Sequence, residues 1–332
     1  MTMAAINPMR ALERTATMGL TRALELVWKP LARCAAHAYV AGPALSDAVA
    51  ACEAVASRGL ATTIGFWDGG EPLSLVADQH LRALDAIARQ RLDCYLSIKA
   101  PALGFSDGLV RELGDRSRRL GIRLHFDALG PESVRPTFAL VEAVLADHPD
   151  LGCTLPARWR RSLADAETAL ALGLTVRLVK GEEPGPDDID PRRGLLALVD
   201  RVAGRARRVA VATHDSPVAS EALARLRAAG TPAESELLLG LPLGPPLAAA
   251  RGAGVPARLY VPYGHSRLPY RLSEAGARPA VLWWAVRDLA QDGMRRLGSA
   301  RHPEEEASGV TGRGRRRPGL RRFGSARPPE EV

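Results

Sequence analysis

An eightfold alternation of helical segments and short apolar runs constrains this 332-residue chain more than any other feature. The apolar runs are Ala61–Trp67, Cys94–Ala100, Ile122–Ala128, Leu151–Ala157, Thr175–Gly181, Arg208–Asp215, Glu234–Gly240 and Ala257–Gly264. Each run has the length of a buried strand and follows a helical pattern, as parallel strands require. Eight such units over about 200 residues are typical of a (β/α)8 TIM-type barrel, an α/β fold.

The turn after the first run argues against an open dinucleotide-binding sheet. Asp68-Gly69-Gly70 lacks the G-x-G-x-x-G spacing of such a sheet, and no P-loop sequence occurs in the chain. An open sheet would also usually have fewer strands. We therefore expect a closed barrel.

The sequence predicts three parts: a helical N-terminal segment at 1–45, the barrel domain at 46–292 and a basic, disordered tail at 293–332. From Arg295 to Val332 ten arginines stand against five glutamates, so +5 of the net charge of +8 lies in the tail. The rest of the chain does not interleave basic and aromatic side chains as a nucleic-acid groove does. We expect no nucleic-acid partner, and at most peripheral contact between the tail and an anionic membrane surface.

The cysteines and the N-terminus indicate a cytoplasmic protein. Cys34, Cys52, Cys94 and Cys153 are widely separated and form no C-x-x-C pair. This spacing favours reduced, mostly buried thiols over a disulfide framework or a zinc site. The N-terminus lacks the pattern of a signal peptide, and no apolar run has the length of a membrane span.

Thr175–Gly181 is unusual among the predicted strands because it carries two cations. Alternating side chains place Arg177 and Val179 on one face and Leu178 and Lys180 on the other. Charged side chains are rarely buried without a partner. This strand therefore requires either an anionic ligand or a carboxylate-rich pocket at its end.

Polar side chains gather where the predicted strands end, which is where a barrel of this type holds its active site. The set includes Trp67, Asp68, Lys99, His125, Asp127, Arg177, Lys180, Thr213, His214, Asp215, Tyr260, Tyr263 and His265. Possible metal ligands in this set are His125, Asp127, His214 and Asp215. The cations favour an anionic ligand over a divalent metal, so we predict no metal. No G-x-S-x-G sequence indicates a nucleophilic serine.

Five motifs in a fixed order give a more specific indication. They are Leu96–Lys99, Arg177–Gly181, Ala212–Asp215, Tyr260–Gly264 and Leu268–Tyr270. Together they resemble the proline dehydrogenase family over a region from about Ala41 to Leu289. The resemblance implies an FAD-dependent oxidation of L-proline to Δ1-pyrroline-5-carboxylate. In that reaction a hydride passes to flavin N5, and the electrons then leave to a quinone.

The resemblance also implies cofactor contacts. It places Arg177 beside flavin N5 and has Lys180 and Gly181 line the cofactor. Thr213 and His214 would contact the ribityl–pyrophosphate part. The alternative for Arg177 and Lys180 is that they form ion pairs at the end of the barrel.

On the substrate side, the resemblance implies that Lys99 lies near the substrate carboxylate and that Tyr260 and Tyr270 pack around the substrate ring. The alternatives are an internal ion pair between Lys99 and Asp127, and a purely structural role for the two tyrosines.

The substrate side departs from the family pattern. The family clamps the proline carboxylate with paired arginines, and these positions read Ser273 and Glu274 here. A serine and an anion do not replace a bidentate arginine clamp. Arg271 lies nearby in the sequence and is a candidate substitute. Other departures from the family pattern are Gly65, His125, Asp127, Leu155, Glu182 and Glu183.

Three functions follow from these motifs. The first is the oxidation of proline, and the second is the oxidation of a different cyclic or secondary amine by the same flavin chemistry. The third is a degenerate barrel without catalysis that acts through protein contacts.

Overall fold

The computed structural model describes residues 39–265. The strands are β1 Ala61–Trp67, β2 Cys94–Ile98, β3 Leu124–Phe126, β4 Leu151–Pro156, β5 Thr175–Val179, β6 Val209–Ala212, β7 Ala233–Leu238 and β8 Ala257–Gly264. The α-helices are α1 Leu45–Ala56, α2 Leu73–Arg89, α3 Asp107–Leu120, α4 Val134–Leu145, α5 Ser162–Ala171, α6 Pro191–Val202, α7 Ser216–Ala228 and α8 Gly244–Ala253. Short 3-10 helices span Pro101–Leu103 and Pro131–Ser133.

The eight strands are parallel and form a closed barrel in sequence order, so the predicted (β/α)8 fold is confirmed. β1 closes the ring by pairing with β2 on one side and with β8 on the other. Several strands are shorter than the apolar runs that predicted them, and β3 spans only three residues. The remaining residues of those runs form the loops that carry polar side chains at the barrel ends.

The hydrophobic core lies between the strands and the surrounding helices. The outward faces of the strands are fully buried, as at Ile64, Leu96 and Leu178. The side chains of the residues just before and after these positions point into the barrel, because successive residues of a strand face opposite sides. Each strand therefore supplies one face to the core and one to the barrel interior.

The helix before the first strand covers the seam between β8 and β1. α1 packs against both of these strands. Just before it, the Ala41 N–H donates to the Pro262 carbonyl at 2.8 Å, and the Gly264 N–H donates to the Gly42 carbonyl at 2.9 Å. These bonds fix the entry of the chain beside the end of β8.

The interior of the barrel is filled with paired charges, whereas branched apolar residues dominate most barrels of this fold. Within residues 39–265 the inward faces carry three arginines and three carboxylates: Arg123, Arg177, Arg258, Asp127, Glu234 and Glu236. The Tyr95 ring lies near two of the guanidinium groups, with the Arg123 Cζ 4.1 Å and the Arg258 Cζ 4.8 Å from its centroid. This interior is a charge-paired core.

The predicted segment 1–45 lies almost wholly outside the described residues, as does the tail at 293–332. Among residues 39–265, no helix is long and apolar enough to cross a membrane. Cys52, Cys94 and Cys153 are buried free thiols, as predicted, and Cys34 lies outside the described residues. Burial raises the pKa of the Cys153 thiol to about 12.

Candidate active site at the barrel mouth

Arg177, on β5, forms the centre of the polar network and is only 5% exposed. Its Nη1 donates to Glu236 Oε1 at 2.9 Å, and its Nη2 forms an ion pair with Asp127. Nε and Nη2 also donate to the Thr154 hydroxyl at 3.1 and 3.0 Å, and Nη2 reaches the Ser97 hydroxyl at 3.2 Å. Of the two alternatives for the end of this strand, the carboxylate-rich pocket is therefore present.

The charges in this network stabilise one another. Burial opposes the charge on Arg177, but Glu236 together with Tyr95 and Tyr260 outweighs it, and the pKa of the guanidinium is raised. Burial likewise opposes the charge on Glu236, yet Arg177 and a hydrogen bond from the Tyr95 hydroxyl leave the pKa of its carboxyl below the usual value. Both groups are therefore ionised at neutral pH. Burial, together with the nearby arginines, holds the pKa of His125 well below its usual value, so this imidazole is neutral.

Tyr260, on β8, lies directly against this network. Its hydroxyl donates to Asp127 Oδ2 at 3.0 Å and accepts a hydrogen bond from Trp67 Nε1 at 3.2 Å. The Arg177 Cζ lies 5.3 Å from the centroid of its ring. Burial raises the pKa of the Tyr260 phenol to about 12, so it is protonated at neutral pH. On β1, Gly65 leaves room for this ring, because a Cβ there would collide with the Tyr260 hydroxyl.

Lys99 lies where β2 ends and is half-buried. Its Nζ donates to the Phe66 carbonyl at 3.2 Å and lies 5.5 Å from the centroid of the Trp67 ring. The chain contains only three lysines, at 29, 99 and 180, and two of them follow barrel strands on this side. Asp127, which the sequence analysis considered as an ion-pair partner of Lys99, binds Arg177 and Tyr260.

The loop after β5 is fixed to the end of β4. Gly181 is buried with φ +88°, and a Cβ there would lie 2.9 Å from the Pro156 Cβ and 3.0 Å from the Arg158 Cγ. Arg158 Nη1 donates to the Glu182 carbonyl at 2.8 Å, while its Nη2 pairs with Asp188 Oδ2 at 2.7 Å. A glycine is required here because the backbone is left-handed and closely packed.

The segment after β6 contains Thr213 and His214. The Thr213 hydroxyl accepts from the Asp215 N–H at 3.1 Å. His214 Nε2 accepts from the Leu238 N–H at 3.0 Å, so its Nδ1 carries the proton and donates to the Pro242 carbonyl at 3.1 Å. Burial lowers the pKa of His214, which agrees with a neutral ring. Since both ring nitrogens bind the main chain, His214 can offer a cofactor only the face of its ring.

A small apolar surface lies beside these groups. The inward positions at the ends of β4 to β7 are Pro156, Val179, Ala212 and Leu238. Pro156 pairs in register with Val179, and Val179 pairs with Ala212, so these three residues lie side by side on adjacent strands. We call these four residues the mouth shelf. Exposed Lys180 follows Val179 in the chain. An apolar surface with a cation at its edge fits a flat aromatic ring system that bears negative charge, as a flavin does.

The structure brings Lys99, Arg177 and Tyr260 to one end of the barrel, with Lys180, Gly181, Thr213 and His214 in the segments that follow β5 and β6. Their contacts with a cofactor or substrate stay predictions. Tyr270 and Arg271 lie outside the described residues. In the part of the chain that the structure describes, no group of three or more histidine, cysteine or carboxylate side chains is arranged to hold a metal ion.

Sequence reasoning missed Glu236, the main partner of Arg177. A signal for it exists in β7, where Glu234 and Glu236 occupy alternate positions of a short strand. Both are 2% exposed. The argument that a charged residue in a buried strand needs a partner applies to them as it does to Arg177.

Two curated proteins share sequence similarity with most of the chain. It is 25% identical over 267 residues to proline dehydrogenase 1 of Bacillus subtilis subsp. natto, covering 75% of this chain and 88% of that protein. It is 24% identical, with the same coverage, to proline dehydrogenase 1 of Bacillus subtilis strain 168. The chain is thus similar in sequence to two proline dehydrogenases over most of its length. No protein-family model matches it.

Solved structures of proline utilization A share the barrel fold with this chain. The protein from Bdellovibrio bacteriovorus, inactivated by N-propargylglycine, matches with a TM-score of 0.58 at 15% identity, over 71% of this chain and 31% of its own length. The protein from Corynebacterium freiburgense matches with a TM-score of 0.59 at 19% identity, over 83% and 35%. The chain thus spans about a third of these larger proteins.

Proposed function

We propose that this chain is an FAD-dependent dehydrogenase of the proline dehydrogenase type, which oxidises L-proline to Δ1-pyrroline-5-carboxylate and passes the electrons to a quinone. The observation that carries this proposal is the grouping of Lys99, Arg177 and Tyr260 at one end of a closed barrel. The similarity of the chain to proline dehydrogenases over most of its length supports an oxidoreductase of this kind.

The mouth shelf and the groups beside it would hold the cofactor. Lys180 would supply positive charge for the pyrophosphate or the reduced ring, Gly181 would allow a close approach, and Thr213 would offer its hydroxyl. When bound, the flavin supplies a hydride acceptor. Arg177 lies next to the shelf with its charge compensated by Asp127 and Glu236, so it contributes directed N–H dipoles with little net charge.

The other residues of the mouth would bind and orient the substrate. Lys99 offers a cation for a carboxylate, and Trp67 packs near its ammonium group. Tyr260 presents a protonated phenol and a ring face that Asp127 and Trp67 hold in place. Tyr270 and Arg271 would complete the site.

A second substrate, a different cyclic or secondary amine, is favoured by one sequence observation. Ser273 and Glu274 stand where the family has its arginine clamp. The chain would then keep the flavin chemistry and lose tight binding of a carboxylate. A non-catalytic barrel is less well supported, because the ordered polar site at the mouth would then serve no chemistry.

The absorption spectrum of the purified full-length protein, with and without added FAD, is the first test. We expect a bound flavin that L-proline bleaches under anaerobic conditions. Amine-reactive labelling gives an independent readout, since FAD should protect exposed Lys180 from the reagent. A protein that takes up no FAD, with equal labelling of Lys180 in both states, would exclude both enzymatic functions.

The choice between substrates has its own test. If bound flavin is not bleached by L-proline but is bleached by another secondary amine, the second candidate is correct. The double substitution Ser273→Arg with Glu274→Arg should raise proline turnover if the missing clamp limits it. An unchanged rate with the double variant would show that the carboxylate is bound elsewhere.

A further inference from the structure

The strands β6 and β7 part from each other before they reach the mouth of the barrel. Their register ends at Val211 and Ser235, whereas β7 continues to pair with β8 as far as Leu238 and Tyr260. A parallel ladder joins neighbouring strands through their main-chain N–H and carbonyl groups. At the mouth, β7 is therefore held by its ladder to β8, and its ladder to β6 has ended.

The imidazole of His214 bridges this opening. The Leu239 N–H donates to the Tyr260 carbonyl of β8, and successive N–H groups of a strand point to opposite neighbours, so the Leu238 N–H points towards β6. His214 Nε2 accepts from it at 3.0 Å. The ring thus takes the place of the main-chain acceptor that β6 would supply if the ladder continued.

The loop between β7 and α8 is held by the same ring. His214 Nδ1 donates to the Pro242 carbonyl at 3.1 Å. Residues 240–242 make no other hydrogen bond with a described residue. The half-buried ring therefore joins the segment after β6 to the main chain at the end of β7 and in the loop beyond it.

The segment that carries this ring is itself fixed from the side of α7. The Thr213 hydroxyl accepts from the Asp215 N–H at 3.1 Å, and the Asp215 carboxylate pairs with Arg192 Nε at 2.6 Å. On the other side of the ring lies Leu238, which belongs to the mouth shelf. A displacement of the His214 ring would therefore move an apolar residue of the shelf relative to Thr213.

We propose that His214 is a positioning residue of the cofactor site, whose ring sets the spacing between the ends of β6 and β7. This spacing holds Leu238 and Thr213 where a flavin would pack. His214 acts through these two neighbours rather than as a catalytic residue. The part of the inference that concerns the flavin rests on the proposed function, whereas the spacing is a property of the protein alone.

Hydrogen exchange of the Leu238 amide, measured on the full-length protein without FAD, tests the spacing. His214→Asn removes the acceptor and keeps a donor near the position of Nδ1, whereas His214→Gln can place its amide oxygen near the position of Nε2. The matched control is His148→Asn, which removes a buried imidazole after α4 whose Nδ1 has no hydrogen-bond partner among residues 39–265.

We expect the Leu238 amide to exchange about fivefold faster in His214→Asn, the factor that one hydrogen bond typically contributes. His214→Gln should restore most of the protection, and His148→Asn should leave it unchanged. The affinity for FAD, titrated on the same samples, should fall by a similar factor in His214→Asn and recover in His214→Gln. Nitrogen NMR of the unmodified protein needs no substitution and should find the ring proton of His214 on Nδ1.

Several outcomes would overturn the inference. One is an equal exchange rate of the Leu238 amide in the unmodified protein and His214→Asn, and another is a ring proton on Nε2, which could not accept from Leu238. Faster exchange with unchanged FAD affinity, or an equal loss of affinity in His148→Asn, would exclude a role in positioning the cofactor site. Failure of the unmodified protein to bind FAD would exclude the proposed function and the flavin part of the inference, while the exchange rates alone decide the spacing.

Discussion

Arg177 on β5 and Glu236 on β7 form a buried ion pair across the interior of the barrel, with 2.9 Å between Nη1 and Oε1. The strand between them, β6, places alanines at its inward positions, at 210 and 212. These small side chains leave the space through which the two long ones meet. The pair thus links two strands that are not neighbours in the sheet.

Substituting Glu236 should destabilise the protein strongly. Glu236→Gln keeps the shape but removes the charge that compensates buried Arg177, and we expect the free energy of unfolding to fall by about 3 kcal/mol. Urea denaturation measures this change. The control is Glu167→Gln, which removes an exposed partner of Arg201 and Arg205 and should have a much smaller effect. Equal effects in the two variants would contradict the buried pair.

Gly181 should tolerate no side chain. In Gly181→Ala the left-handed backbone costs about 1–2 kcal/mol, and the added Cβ must also displace Pro156 or Arg158. Gly230→Ala is the matched control, because Gly230 has φ +67° and no described atom lies within 4 Å of its Cβ position. We expect a larger loss of unfolding free energy, and a loss of FAD retention, only in Gly181→Ala. Equal losses would show that packing is unimportant at this position.

The two lysines of the mouth should separate substrate binding from cofactor binding. Lys99→Met keeps the apolar stem beside Trp67 and removes the charge, so we expect slower flavin reduction, by at least about tenfold, with normal FAD content. Lys180→Met should weaken FAD binding instead. Stopped-flow reduction and FAD titration measure the two effects. The assignment of Lys99 to the substrate side is wrong if its variant loses FAD and reduces at the normal rate.

The stability of the fold should decrease with falling pH because of His80. Burial, with a smaller contribution from Lys99, lowers the pKa of His80 to about 3. Between pH 6.5 and 3 the unfolded chain therefore binds a proton that the folded protein does not, so acid favours unfolding. This group alone should lower the free energy of unfolding by up to about 1.4 kcal/mol for each pH unit below 6.5.

Urea denaturation between pH 7.5 and 5.5 measures this slope. His80→Leu should reduce it, because leucine is apolar and removes an Nδ1 that has no hydrogen-bond partner among residues 39–265. A slope that is unchanged in His80→Leu would assign the pH dependence to other groups.

The fold could be predicted well from the sequence because the period of the apolar residues indicates each strand and helix locally. The partners of Arg177 were harder to predict. Asp127 and Glu236 are 50 and 59 residues away in the chain, so the requirement for an anion could not distinguish protein carboxylates from a ligand. The barrel register brings them together, and no local pattern encodes that register.

His214 shows a second limit of sequence reasoning. The resemblance implies a cofactor contact for His214, which stays a prediction, but it gave no sign that both ring nitrogens hold the Leu238 N–H and the Pro242 carbonyl. These partners depend on the path of the loop after β7. Irregular segments of this kind have no sequence period, so their hydrogen bonds emerge only from the folded chain.

The charge-paired core also bears on how such a barrel can diverge. A lone charge change in the interior leaves a buried ion without its partner, so acceptable substitutions there must arrive in compensating combinations. The need for compensating substitutions does not extend to the rim of the barrel mouth, since the Glu182 side chain is exposed and its loop is held through main-chain carbonyls. New ligand preferences can therefore be acquired one residue at a time at the mouth, while the interior beneath stays nearly immutable.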